Sequence, residues 1–147
     1  IPNFPPQNIL PRLRMLLRPE DRLLLSANLA PNGMESILPQ YDNDETREWL
    51  AEFPKAHGAG KGEVKITVET DGDLQHFAAH FHFQEPCVME ANGKHFEFFS
   101  GDSLKLFVSY RYTVESLADT LGSYGIAIEY SFLTANGEEG VFICGLQ

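Results

Sequence analysis

The sequence predicts an α/β protein from three observations: a helix leading into an apolar strand near the start, period-two alternation through the middle, and a helix followed by an antiparallel strand pair at the end. Residues 6–17 carry Ile9, Leu10, Leu13, Leu16 and Leu17 at helical spacing, with Arg12, Arg14 and Arg18 toward the other side or the end. Pro5 and Pro6 suit a helix start, where the first N–H groups have no intrahelical acceptor to lose. Arg18-Pro19-Glu20-Asp21 reads as a stop and turn. The run Leu23-Leu24-Leu25 then reads as a short strand buried on both faces, the habit of a mostly parallel sheet. Ligands of such sheets lie at the carboxyl ends of the strands, which places residues 28–32 on the rim.

Two further helices are expected over residues 34–38 and 44–53, the second capped by Asn43 or Asp44, with Thr46, Trp49, Leu50 and Phe53 as its apolar edge. A glycine-rich linker follows over residues 55–62. The period then changes to two: Val64, Ile66 and Val68 alternate with Glu63, Lys65, Thr67 and Glu69, and after a turn at residues 70–73 a second strand carries Phe77, Ala79, Phe81 and Phe83. Residues 88–90 and 95–99 form another hairpin around Asn92-Gly93, a pair that tolerates positive φ. A loop or strand reaches Tyr112, and Thr113 caps a helix with Val114, Leu117, Ala118 and Leu121 inward and Gly125 beyond its end. Ile126 opens an apolar strand, Ala135-Asn136-Gly137 turns it, and residues 141–144 run back. No repeat or low-complexity segment interrupts the 147 residues.

Eleven basic against twenty-one acidic residues leave a formal charge of -10, which repels a phosphate backbone and gives anionic lipid nothing to bind. Neither nucleic acid nor a membrane is an expected partner. Apolar runs are far short of a membrane span and no basic segment precedes one, so a cytoplasmic location is the expectation. Cys87 and Cys144 lack metal-binding spacing and read as reduced. The chain opens on Ile1 rather than Met, which reads as a processed product or an excised piece with sequence upstream.

The ordered series Ile1-Pro2-Asn3-Phe4, Ile9-Leu10-Pro11, Leu16-Leu17-Arg18-Pro19, residues 21–25 and Ser26-Ala27-Asn28-Leu29 resembles the middle of the histidine-specific S-adenosylmethionine (SAM)-dependent methyltransferase family. That family includes the Nα-trimethylating enzyme of the ergothioneine pathway. The resemblance continues through Leu38-Pro39-Gln40-Tyr41-Asp42-Asn43, Gly101-Asp102-Ser103 and Ser109-Tyr110-Arg111-Tyr112-Thr113, loosely in the hairpins. It implies the C-terminal half of a Rossmann-like sheet with an inserted α+β substrate lobe. Residues 1–33 would be a sheet segment, 34–100 the lobe, and 101–147 the return to the sheet. A mostly parallel sheet closed by one reversed hairpin strand is how such methyltransferases finish, so the opening strand and the closing hairpin should share one sheet.

The glycine-rich loop and ribose-binding acidic residue of such folds would lie upstream, and no Gly-x-Gly-x-x-Gly occurs here, so the isolated chain is not expected to hold SAM. The resemblance also implies acceptor-binding residues. Asn3 matches an asparagine that contacts the substrate amino or carboxyl group, against a plain loop asparagine. Tyr41 matches a tyrosine reaching the substrate carboxylate, against a packing residue. Ser109 matches the serine of a Glu-x-Ser motif that reads the substrate side chain, but Phe107 stands where the acidic residue would be. An imidazole would lose its carboxylate partner there, which favours a less polar or aromatic amine, or another acceptor. Arg111 has the planar fork for a carboxylate, against a surface salt bridge.

His76, His80 and His82 raise a metal site, but no cysteine or carboxylate completes a set at fixed spacing, and a solvated or partner-facing strand surface is expected instead. Phe77, Phe81, Phe83, Phe96, Phe98 and Phe99 read as sheet core. The expected activity is methyl transfer from SAM to a small amine or amino-acid-like acceptor. The rival reading is a non-catalytic, methyltransferase-like interaction module, and exposed sheet edges would favour self-association or pairing with an N-terminal portion.

Overall fold

The computed structural model describes residues 3–147. The element order is α1 (Pro6–Leu16), β1 (Leu23–Asn28), α2 (Met34–Tyr41), α3 (Asp44–Ala56), β2 (Gly62–Asp71), β3 (Leu74–Phe83), β4 (Cys87–Ala91), β5 (Lys94–Phe98), β6 (Ser103–Tyr110), α4 (Val114–Gly122), β7 (Ile126–Leu133) and β8 (Glu139–Leu146). This is a mixed α/β architecture of three small sheets, ordered β1-β8-β7, β2-β3-β6 and β4-β5. The chain divides into two compact units. The first comprises residues 3–36, 70–76 and 109–147 of the described chain, and the second residues 37–69 and 77–108.

In the first unit, β1 pairs antiparallel with β8 from Leu23↔Cys144 to Asn28↔Glu139, and β8 pairs antiparallel with β7. The opening strand and the closing hairpin therefore share one sheet. The expected parallel ladder is not seen among the described strands. β1 and β7 run the same way, but the reversed β8 lies between them, and the parallel contact seen among the described residues is the bridge Leu29↔Tyr112.

The expectation that β1 is buried on both faces is also overturned. Leu25 and Ala27 are buried, whereas Leu24 is 68% exposed. Cross-strand partners share a face. Leu24, Ile143 and Tyr130 make one row, and Ser26, Val141 and Phe132 the next. Leu24, Tyr130, Phe132 and Val141 are all exposed, while Leu25, Phe142 and Cys144 fill the opposite, buried face. The sheet carries apolar side chains on both sides, but only one side is covered among the described residues.

Local chemistry explains the helices. Pro6 sits at the first position of α1. Asn43, not Asp44, caps α3 by accepting from the Thr46 N–H at 2.9 Å. Thr113 and Ser116 form a reciprocal capping box on α4, and Leu117 and Leu121 face inward, with Ala118 exposed. Glu115 in that first turn has its carboxyl held below the usual range by backbone and Thr113 hydrogen bonds.

The second unit packs Val64 and Ile66 of β2, Ala79, Phe81 and Phe83 of β3, Ala51 of α3 and Met89 of β4 into one apolar cluster, with Leu104 and Leu106 of β6 against it. The β4-β5 hairpin turns through Asn92 (φ 54°) and Gly93 (φ 71°). Phe98 stacks on Phe83 at 4.2 Å, but Phe96 and Phe99 are exposed, so the expected phenylalanine core stops there. α3 also differs from expectation. Ala51 and Pro54 are its buried residues and Leu50 is half-buried, which turns Trp49 and Phe53 outward.

Candidate functional site

The carboxyl end of β1 is where backbone ordering and buried polarity coincide. Leu29 N–H donates to Glu138 O at 2.7 Å on the β8 side. On the other side Tyr112 N–H donates to Asn28 O at 3.1 Å, and Ala30 N–H donates to Tyr112 O at 2.8 Å. The strand end is thus clasped from both edges, by the β7–β8 hairpin and by the segment leaving β6.

That clasp brings Ser109 to Asn28. Ser109 is 1% exposed, and Asn28 Nδ2 donates to its Oγ at 3.4 Å, a long contact. Arg111 is buried, which overturns the surface-salt-bridge reading. Its Nη1 donates to Leu29 O at 3.2 Å and to Glu138 O at 3.4 Å, so the guanidinium ties β1 to the hairpin. The backbone carbonyls replace part of the hydration that a buried guanidinium gives up. The Tyr112 hydroxyl is buried without a hydrogen-bond partner among the described residues, and burial pushes its phenol far above the ordinary range. It is a neutral group throughout physiological pH.

Beside this end, a cleft of about 400 Å³ is lined by Asn28, Ser26, Phe132, Thr134, Glu139 and Gly140, among others. Gly140 is needed for close packing, since a Cβ there would meet the Phe142 ring at 2.7 Å and Leu133 at 2.9 Å. A second polar cluster in the same unit joins Tyr110, Asp71 and Gln7. Tyr110 OH and Gln7 Nε2 both donate to Asp71 Oδ2, at 3.2 and 3.1 Å. Burial first, and then Asp71, raises the Tyr110 phenol above its usual range. His76 lies buried against the Tyr110 ring at 4.8 Å, not on a solvated strand surface as expected. His80 Nδ1 lies 3.5 Å from Glu69, with the His82 ring 6.2 Å from its own. Among the described residues no group of three or more His, Cys, Asp or Glu side chains is placed to hold a metal ion. Neither cysteine is in a disulfide.

The five candidate acceptor residues divide between the units. Asn3 is exposed ahead of α1 in the first unit, which also holds Ser109 and Arg111. Tyr41 and Phe107 belong to the second, where Tyr41 stacks on Phe77 at 4.8 Å and on Phe107 at 5.9 Å. Asn28 was legible as a rim residue from its place at the end of an apolar run. Its pairing with Ser109, the burial of Arg111 and the Tyr110–Asp71–Gln7 cluster had no local signal.

The residues at the strand end do not by themselves make a SAM cradle. An amide, a hydroxyl and a guanidinium engaged with backbone carbonyls supply neither the glycine approach nor the ribose-binding carboxylate that this cofactor requires. Among the described residues, no helix is long and apolar enough to cross a membrane.

No protein-family model and no curated protein matches the chain. Among solved structures, the chain is similar to the CcbJ methyltransferase from Streptomyces caelestis. The identity is 13%, the match covers 94% of this chain and 51% of that one, and the TM-score is 0.39. The chain thus spans about half the length of that structure.

Proposed function

We infer that this chain supplies the C-terminal part of a SAM-dependent methyltransferase, Rossmann-like in its sheet, acting on a small amine or amino-acid-like acceptor. The observation that carries the reading is the strand order β1-β8-β7 with β8 reversed, whose β1 carboxyl end holds Asn28 and Ser109 together. A closing hairpin with one reversed strand is the ending that the family resemblance implies, and carboxyl strand ends are where open α/β sheets bind ligands. The uncovered apolar face of Leu24, Tyr130, Phe132 and Val141 supports it further, because such sheets carry helices on both faces.

In this reading Asn3, Ser109 and Arg111 of the first unit and Tyr41 and Phe107 of the second are the acceptor-binding candidates. Asn28 and Ser109 offer an uncharged amide and hydroxyl, which orient an amine without holding a proton on it. That suits methyl transfer, since only the deprotonated nitrogen has a lone pair to donate. Phe107, stacked with Tyr41, supplies an apolar ring where a carboxylate would pair an imidazole, so the acceptor is less polar than histidine. SAM would supply the electrophilic methyl group, held by residues outside this chain.

Calorimetry of SAM with this chain and with any longer natural form tests the reading. No binding by the chain alone and micromolar binding by the longer form is the expected pattern. A folded longer form that binds no SAM rejects it. In an active form, Ser109→Ala is expected to lower kcat/KM for a polar acceptor by about tenfold while leaving SAM affinity unchanged.

A further inference from the structure

Trp49, Phe53 and His57 follow one another at four-residue spacing along and just beyond α3, on the side away from Ala51 and Pro54. Trp49 is 65% exposed and Phe53 52%. Both line a groove of about 570 Å³ whose other wall is formed by Leu104, Lys105 and Leu106 of β6. The groove lies wholly within the second unit. His57 is held in place, its Nδ1 2.8 Å from Phe53 O and its ring 4.3 Å from the Phe53 ring.

The wall opposite the aromatics is itself a sheet edge. β6 ends the order β2-β3-β6, so one side of its backbone has no strand partner among the described residues. Six of its residues, 103–108, belong to this unit, about 20 Å of extended edge. Natural proteins blunt such edges with proline, bulges or charge. Here Lys105 stands on the strand, but Glu69 Oε2 lies 3.3 Å from its Nζ and answers its charge. Glu52 lies in the groove lining, and Glu45 one turn before Trp49 on the same stripe.

We propose that this groove binds an extended, basic segment of a partner protein, which pairs with β6 as an added strand, sets an apolar side chain against Trp49 and Phe53, and points a lysine or arginine toward Glu52. Three features select this occupant. Strand addition satisfies the N–H and C=O groups along the β6 edge, and alternate side chains then enter the groove. The exposed aromatic pair suits an apolar side chain or the stem of a basic one. The acidic rim and the chain's formal charge of -10 favour a basic partner and oppose a second copy of this chain, which would bring the same charges to the contact. This inference is independent of the methyl-transfer reading.

Trp49 is the single tryptophan of the chain, so its emission reports on the groove directly. The full chain is titrated with heptapeptides in which lysine alternates with valine, leucine or phenylalanine, with their glutamate counterparts, and with versions N-methylated at alternate amides. Saturable blue-shifted emission is expected with a lysine peptide, weakened about tenfold or more in the glutamate and N-methylated versions. Phe53→Ala, read by the same emission, and Trp49→Ala, read by calorimetry, are each expected to weaken binding by a similar factor. Both positions are largely exposed, so circular dichroism should be unchanged. Amides of residues 103–108 should exchange more slowly in the complex.

Failure of every lysine peptide to bind overturns the proposal. So does equal binding of the N-methylated versions, which would mean a pocket for small apolar cations. Unchanged affinity in both variants, or a Trp49 shift that follows protein concentration without peptide, overturns it as well.

Discussion

The two units bury different chemistry. All three buried polar side chains among the described residues, His76, Ser109 and Arg111, fall in the first unit, whereas the buried cluster of the second is apolar throughout. A buried polar group costs about 1–3 kcal/mol unless its bonds are made, so a fold retains several only where their placement matters. The first unit therefore holds fixed polar geometry at a strand end. In the second, stability comes from packed aromatic and aliphatic area, and its distinctive surface is the aromatic stripe on the outside of α3. Function is expected to follow that division, with oriented chemistry in one unit and recognition in the other.

The division can be broken by mutation. The largest effect is expected from Phe81→Ala, which removes a fully buried ring from the second unit's cluster and should cost about 3–5 kcal/mol. Urea unfolding followed by Trp49 emission measures it, since Trp49 lies in the same unit. Arg111→Leu should cost about 2–3 kcal/mol, because Leu29 O and Glu138 O lose a charged donor in a buried place. Protection of Cys144 from thiol labelling reads that loss within the first unit. If both variants shift both probes equally, the units unfold as one and the comparison loses its energetic content.

Thr113→Ala is expected to cost about 1 kcal/mol through the lost capping box of α4, again on first-unit probes. The smallest effect is confined to alkaline pH. Burial pushes the Cys144 thiol up to about 11, with Glu129 adding to the shift. The neutral thiol is favoured in the fold, so its contribution is complete below pH 9 and is lost as pH rises through about 11. Iodoacetamide at pH 9 should accordingly label half-buried Cys87 well before Cys144, and equal rates would place Cys144 outside the core.

Much of the local structure was legible in the chain. Alternation marked β2, Asn92-Gly93 marked the β4-β5 turn, and Thr113 marked the start of α4, each through neighbours within a few residues. The errors concern faces and partners. Leu24 reads as buried from its run of leucines, and Trp49 and Phe53 read as an inward edge, because hydrophobicity states a preference for cover and not whether cover is present. The candidate site was legible in part. Ser109 and Arg111 stood out by resemblance, but only the clasp around β1 showed that Arg111 binds carbonyls in the interior and that Ser109 meets Asn28.

The order of residues determined the elements themselves, their periods, caps and turns, and the acidic charge balance of the chain. Tertiary structure decided the strand order β1-β8-β7, the burial of Arg111 and the open β6 edge beside Trp49. The strand order depends on pairings such as Leu23 with Cys144, between segments at opposite ends of the chain. Backbone hydrogen bonds form between any two suitably shaped strands, so no residue type within either strand names its partner.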